Sequence, residues 1–174
     1  MVKILVIGSG AREHAIIKSL NKSKKEKEIY CLASNNNPGI SDICNELKII
    51  DINNSEKIKD YSIKQSINIA IIGPENPLAY GVADSLWEAG IGVVGPKKNL
   101  AQIETSKSFT RNLLREYKIP GCPKFKTFTN MEGVEDFLSL LGENYVVKYD
   151  GLAGGKGVKV AGDHLHSHEE ALSY

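Results

Sequence analysis

Cysteine is scarce in this sequence: three residues, Cys31, Cys44 and Cys122, odd in number and without C-x-x-C spacing. That excludes a disulfide framework and a structural zinc site, and it fits buried thiols in a reducing compartment. Excess charge is lacking too: 22 Lys and Arg stand against 21 Asp and Glu, a net charge of +1. A nucleic-acid coat or a binder of anionic membranes needs far more, so neither partner is expected. No long hydrophobic run exists; the apolar stretch at residues 2–8 is too short for a signal peptide or a membrane span. Internal repeats and low-complexity tracts are absent, and no motif speaks to oligomeric state. These absences together predict a cytoplasmic protein. What is present is ordinary globular material, 41% apolar and 25% charged, in 174 residues, enough for one domain and part of another.

The order of apolar runs predicts the fold class. Residues 2–8 form a β-branched run closed by Gly8-Ser9-Gly10, and helical spacing follows over 13–20. The charged run 22–28 reads as the solvated end of that helix. A second strand at 29–33 ends in the polar turn 34–39, and a third covers 47–50. Asn53 or Asn54 caps a helix to about Ser66, and a fourth strand at 67–72 closes on Gly73-Pro74. A helix over 77–89 and a strand over 91–94 complete the series before Gly95-Pro96. Strands alternating with helices predict a parallel, doubly wound α/β sheet. Such sheets bind ligands beyond the carboxyl ends of their strands, where the loops at 8–10, 34–39 and 73–75 should share one rim.

After Pro96 the pattern changes. Residues 100–117 read as one or two helices, 124–128 as a short strand, and Thr129 with Glu132 as a capping box for a helix to about Leu141. A hairpin follows over 146–160. Ser167 and Glu170 make a second capping box, and Tyr174 comes within the first turns of the helix it opens. The expectation is one α/β domain over 1–103, then the beginning of an α+β domain over 104–174 that continues further.

Four glycines, Gly151, Gly154, Gly155 and Gly157, lie within seven residues around Lys156 in that hairpin, and Lys148 ends its first strand. Unscreened N–H groups and two cations suit a polyphosphate. A Walker A loop would need Ser or Thr after the lysine and then a helix; here Gly157 and Val158 lead into a strand. The stretch therefore reads either as a mobile lid over nucleotide phosphates or as an ordinary hairpin with solvated lysines. Gly8, Gly10, Arg12, Glu13 and His14 open the first helix, where an anionic group can bind. The dinucleotide fingerprint fails there, because Glu13 stands where the third glycine belongs and the second strand lacks a terminal acid. A tight turn with Arg12 and Glu13 paired on the surface is the plain alternative. Gly73, Pro74 and Glu75 place a proline-stiffened carboxylate at a strand end, which suits a ligand hydroxyl or ammonium, or simply starts a helix. His164, His166 and His168 fall in a turn and read as surface rather than as metal ligands.

The segments G-S-G-A-R-E-H-A, N-N-P-G, G-P-E-N-P-L, E-T-S-K-S-F and D-G-L-A-G-G-K-G-V occur here in one order. In that order the chain resembles the phosphoribosylamine–glycine ligase (GAR synthetase) family of the ATP-grasp superfamily. Ala11 and Gly154 depart from the family pattern but stay small. The resemblance implies ATP-dependent ligation of the amino acid glycine to phosphoribosylamine through glycyl phosphate, in purine biosynthesis. It implies a pre-ATP-grasp domain followed by the start of an ATP-grasp domain. It assigns ATP contacts to Lys107, Lys148, Gly151, Gly154, Gly155, Lys156 and Gly157, with Lys156 catalytic. It assigns the rim facing phosphoribosylamine and glycine to Gly8, Gly10, Arg12, Glu13, His14, Asn37, Pro38, Gly39, Gly73, Pro74 and Glu75. The cofactors it implies are ATP and Mg²⁺ or Mn²⁺, with no metal ligand among these 174 residues, so the chain alone is expected to have no turnover. Three other readings compete: a different ATP-grasp ligase or carboxylase, a non-catalytic nucleotide- or sugar-phosphate-binding module, and a Rossmann oxidoreductase.

Overall fold

The first six residues after Met1 form β1 (Val2–Ile7), and the sheet grows on both sides of it. In the computed structural model, which describes residues 1–174, two compact units appear, Met1–Thr105 and Ser106–Tyr174. The first contains α1 (Ala11–Asn21), β2 (Lys27–Ala33), α2 (Pro38–Ser41), β3 (Glu46–Ile49), α3 (Ser55–Lys64), β4 (Ile69–Ile72), α4 (Glu75–Ala79), α5 (Val82–Glu88), β5 (Gly92–Val94) and α6 (Lys98–Thr105). Its five strands run parallel in the order β3-β2-β1-β4-β5. The chain therefore reverses its winding between β1 and β4, and the loops leaving these two strands part there, opening the crevice where such sheets take ligands.

Alternation along the strands fills both faces. Leu5 and Ile7 pack with Leu32, Ile58, Ile72 and Leu86 on one side, while Val6 packs with Ile17, Cys31 and Ile40 on the other. A sheet covered on both faces needs near-continuous apolar strands, which is why residues 2–7 and 27–33 show little polar interruption near their ends.

Three expectations for this unit change. The charged run 22–28 is not the end of α1: the helix stops at Asn21, and Lys27 and Glu28 already pair with Val2 and Lys3 of β1. Their side chains stay accessible at the amino end of the sheet, so charge there does not oppose pairing. The helix expected over 77–89 is two helices, α4 and α5, broken where Gly81 takes left-handed backbone (φ 78°). Within the turn expected at 34–39 a short helix, α2, begins, with Asn37 as its N-cap and Pro38 in its first turn.

The second unit holds α7 (Lys107–Glu116), α8 (Val134–Leu141), β6 (Val146–Lys148), β7 (Val158–Val160) and α9 (His168–Ser173). β6 and β7 form an antiparallel pair, and Leu138, Tyr145, Leu165 and Ala171 make a small core. The strand expected over 124–128 does not form. A strand exists only by pairing, and the two-stranded sheet does not extend to this segment. Arg115 and Lys126 instead lie over the Phe125 and Phe128 rings. The Thr129–Glu132 capping box is also absent: the Asn130 side chain accepts the Glu132 N–H at 3.0 Å, and α8 starts later, after Gly133. The local asparagine turn competes with the helix for that N–H and wins. The Ser167 cap does form, accepting the Glu170 N–H at 3.1 Å, while the Glu170 carboxylate reaches back to the His166 N–H at 2.7 Å.

Candidate functional site

In the first unit, hydrogen bonds join the three strand-end loops. Asn37 donates from Nδ2 to the Ser9 carbonyl at 2.9 Å, tying the loop after β2 to the loop after β1. Arg12 donates to the Gly73 carbonyl at 2.6 Å and to the Glu75 carboxylate at 3.3 Å, tying α1 to the loop after β4. The sequence expectation of a shared rim is met by these contacts. His14 lies against Gly39: a Cβ at position 39 would sit 2.4 Å from its imidazole. Asn37 Oδ1 caps α2 through the Gly39 N–H at 3.1 Å.

Glu13 departs from expectation. It is neither on the surface with Arg12 nor open to a ligand, but only 4% exposed. Its Oε2 accepts the Gly10 N–H at 2.6 Å, and its other oxygen lies 3.9 Å from Arg12 Nε. Occupying the fingerprint's third-glycine position, it folds beneath the loops instead of letting helix and strand close on each other. Arg12 and Glu75 remain exposed, at 60% and 41% by side chain, and are the rim's accessible charges.

Cys31 also reaches this rim from below, its thiol donating to the Gly8 carbonyl at 3.3 Å. Burial, with lesser contributions from Cys44 and Glu13, pushes the Cys31 thiol up to about 12, and burial pushes Cys44 up to about 11. Thiolate is the reactive form, so both should resist alkylation in the folded protein. Brief iodoacetamide treatment at pH 8 should add at most one adduct, at Cys122, and unfolding should release the other two sites. Intact-mass and peptide mass spectrometry read this directly, and native labelling of Cys31 would contradict it.

In the second unit the hairpin closes through a tight turn. The Lys156 N–H donates to the Ala153 carbonyl at 3.0 Å, and Gly154 and Gly155 both have positive φ, 55° and 78°. Two consecutive left-handed residues make a type I′ turn, set within the longer connection 149–157 between β6 and β7 rather than directly between the strands. A side chain begun at either glycine would meet nothing within 4 Å, so their backbone is open to solvent and to a ligand. Lys156 is exposed at this tip, and Lys148, paired with Val158, is exposed at the end of β6. Gly157 is buried, its α-carbon facing Ala153 and Tyr149, where a Cβ would come within 2.8 Å.

The base of the hairpin is anchored by a residue that sequence reading missed. Asp150 accepts the Lys107 N–H at 2.7 Å and the Ser108 N–H at 3.2 Å, and takes further hydrogen bonds from the Ser106 and Ser108 hydroxyls. Burial acts to raise its carboxyl pKa, but the bonds from Ser108, Lys107 and Ser106 outweigh burial and hold it below the usual carboxylate value. Lys107 donates from Nζ to the Gly151 carbonyl at 2.6 Å, so this lysine braces the loop base in the structure. The missed signal was a Ser-Lys-Ser helix start, whose open N–H groups attract an acid. The three histidines separate: His164 Nδ1 accepts the Val160 N–H at 3.4 Å, and His168 lies edge-on to Tyr145.

A family model described as "Phosphoribosylglycinamide synthetase, N domain" matches residues 2–104, and one described as "Phosphoribosylglycinamide synthetase, ATP-grasp (A) domain" matches 105–174. The chain belongs to the phosphoribosylglycinamide synthetase family. Among its relatives, the phosphoribosylamine–glycine ligase of Methanosarcina barkeri is 47% identical over 173 residues, 99% of this chain and 40% of that protein. The ligase of Methanococcus maripaludis (strain DSM 14266) is 48% identical over 177 residues, with the same coverage. The chain thus spans about 40% of the length of these relatives. Among solved structures, N5-carboxyaminoimidazole synthetase from Staphylococcus aureus complexed with ADP superposes with a TM-score of 0.77 at 15% identity, covering 99% of this chain and 44% of that one. Phosphoribosylglycinamide synthetase from Anaerococcus prevotii gives a TM-score of 0.62 at 15% identity, covering 99% and 40%. These structural likenesses concern the fold. They agree with a parallel α/β unit followed by the opening of an ATP-grasp unit. No helix is long and apolar enough to cross a membrane.

Proposed function

We propose that these residues serve a phosphoribosylamine–glycine ligase, a cytoplasmic enzyme that joins the amino acid glycine to 5-phosphoribosylamine with cleavage of ATP to ADP and phosphate. The observation that carries this reading is that both family segments lie in order along one chain, and the second contains the lysine-bearing hairpin. The chemistry of the hairpin suits a nucleotide: two exposed lysines, and glycine N–H groups that no side chain screens, offer charge and donors to phosphate oxygens. When bound, ATP supplies the phosphoryl group that activates the glycine carboxylate. Lys156 neutralises charge on the transferring phosphoryl group, and Lys148 neutralises the phosphates at the end of β6. Lys107 and Asp150 hold the loop base, while the turn excludes water as it closes. Mg²⁺ or Mn²⁺ accompanies ATP in this proposal, and no residue of this chain is assigned to hold it.

The rim of the first unit receives phosphoribosylamine and glycine in this proposal. Arg12 and Glu75 offer opposite charges, and Asn37 and Gly39 complete the wall. A full-length ligase carrying this chain should release ADP only when both glycine and phosphoribosylamine are supplied; ADP release that ignores either substrate contradicts the assignment. In that enzyme Glu75→Ala should raise KM for glycine or phosphoribosylamine by about tenfold while KM for ATP changes little, because the carboxylate belongs to the rim. An effect confined to ATP would place Glu75 elsewhere in the reaction.

A further inference from the structure

Three glycines from two different loops converge on one buried carboxylate. A Cβ at Gly8, Gly10 or Gly73 would lie 2.8, 2.9 or 2.1 Å from the Glu13 side chain. Gly8 and Gly10 leave β1, and Gly73 leaves β4, the two strands between which the sheet reverses its winding. The carboxylate thus fills the space between the loops and hydrogen-bonds one of them at 2.6 Å. Burying a carboxylate is costly unless it is hydrogen-bonded, and an apolar side chain could fill the same space without that cost. What a carboxylate adds is a fixed-length, directional strut. Its neighbour Arg12 extends the strut outward, reaching the Gly73 carbonyl at 2.6 Å and Glu75 at 3.3 Å.

We infer that Glu13 is a positioning residue: it never touches substrate, and it sets the separation of the two loops that hold glycine and phosphoribosylamine. This rests on the ligase reading above. Glycine at 10 and 73 is then required because Glu13 occupies the place of their side chains; at Gly8 the left-handed backbone (φ 117°) and Pro74 demand glycine as well. The three glycines and the acid form one unit, and any member that changes length or bulk displaces the rim.

The test uses a full-length ligase carrying this chain, melted in buffer and assayed with each of the three substrates varied in turn. Glu13→Asp shortens the strut and should raise KM for glycine or phosphoribosylamine by about tenfold or more, leaving KM for ATP within about twofold. Glu13→Gln keeps the length and an acceptor for the Gly10 N–H, and should restore KM to within about threefold of the parent. Gly73→Ala approaches from the other loop, pushes an intact Glu13 aside and should reproduce the Asp variant's split. A lowered melting temperature with every KM unchanged would reduce Glu13 to a stability role and overturn the inference. A Gln variant as impaired as Asp would overturn it as well, because the charge itself would then meet the ligand. If the parent enzyme shows no dependence on glycine and phosphoribosylamine, the ligase reading fails first. The strut is then read from melting alone: Gly73→Ala should cost much less in a Glu13→Ala background than in the parent, and additive losses would overturn the strut.

Discussion

Replacing Lys156 by methionine in a full-length ligase carrying this chain is expected to lower kcat by about 10²-fold or more, as loss of one preorganised charge contact does. KM for ATP should change less. The expectation follows from where the lysine sits. It is the last residue of a type I′ turn whose two glycines meet nothing within 4 Å, so the tip is poor in contacts and free to close over phosphates. A cation carried on such a tip meets the phosphoryl group only when the tip is closed, and closure accompanies the chemical step. Its interaction is therefore stronger with the transferring group than with resting ATP, which is the condition for acting on kcat. Methionine keeps the length and removes the charge. Steady-state kinetics with ATP varied give the split; an unchanged kcat would leave Lys156 as a solvated surface lysine.

Asp150→Ala should have the second-largest effect, acting on stability and on ATP together. The carboxylate accepts from two backbone N–H groups at the start of α7 and from two serine hydroxyls. Removing an N-terminal acceptor of this kind costs about 0.5–2 kcal/mol, and because these bonds are solvent-exposed, water can take the freed donors and the loss falls toward the lower end. The same change leaves the Gly151 end of the hairpin held to α7 by the Lys107 side chain alone, so KM for ATP should rise about tenfold as the loop base loosens. The pH dependence has a defined sign. Asp150 is held below its ordinary pKa in the folded chain, so its contribution is fully present above the unfolded value, about 4. It is lost as pH falls through the lowered folded value. Melting curves between pH 3 and 7 should show the parent losing stability toward acid more steeply than the Ala variant; parallel curves would remove Asp150 from the balance.

The sheet was legible because its signals are strong and local. Runs such as Val2–Ile7 and Ile69–Ile72 are β-branched, bounded by glycine, and spaced by helices of crossover length. The rim was legible for the same reason, since parallel strands deliver their following loops to one edge. The misses share a different cause. The strand expected over 124–128 needs a neighbour to pair with, and pairing is a property of the fold rather than of the segment. The Thr129–Glu132 box lost to an asparagine two residues before the N–H it claims. Glu13 was placed among the substrate contacts because motif position gives a residue's loop but not the side of that loop on which its carboxylate lies. Asp150 was passed over because its partners are 42 to 44 residues away in sequence.

The position of β1 at the centre of the sheet also orders events in time. It leaves the ribosome before its neighbours in the sheet, yet both its edges need them: β2 about twenty-five residues later and β4 at residues 69–72. Asn68 side-chain and main-chain bonds to Lys3 span 65 positions, and none of this closure can occur until that length has emerged. At synthesis rates of roughly 5–20 residues per second, β1 waits seconds with one edge open while α1, β2 and β3 assemble on the other. The strut beneath Gly8 and Gly10 is in place early, and Gly73 arrives to close over it. The crevice thus takes shape only after the β3-β2-β1 half of the sheet, with β5 still to add at the outer edge of β4.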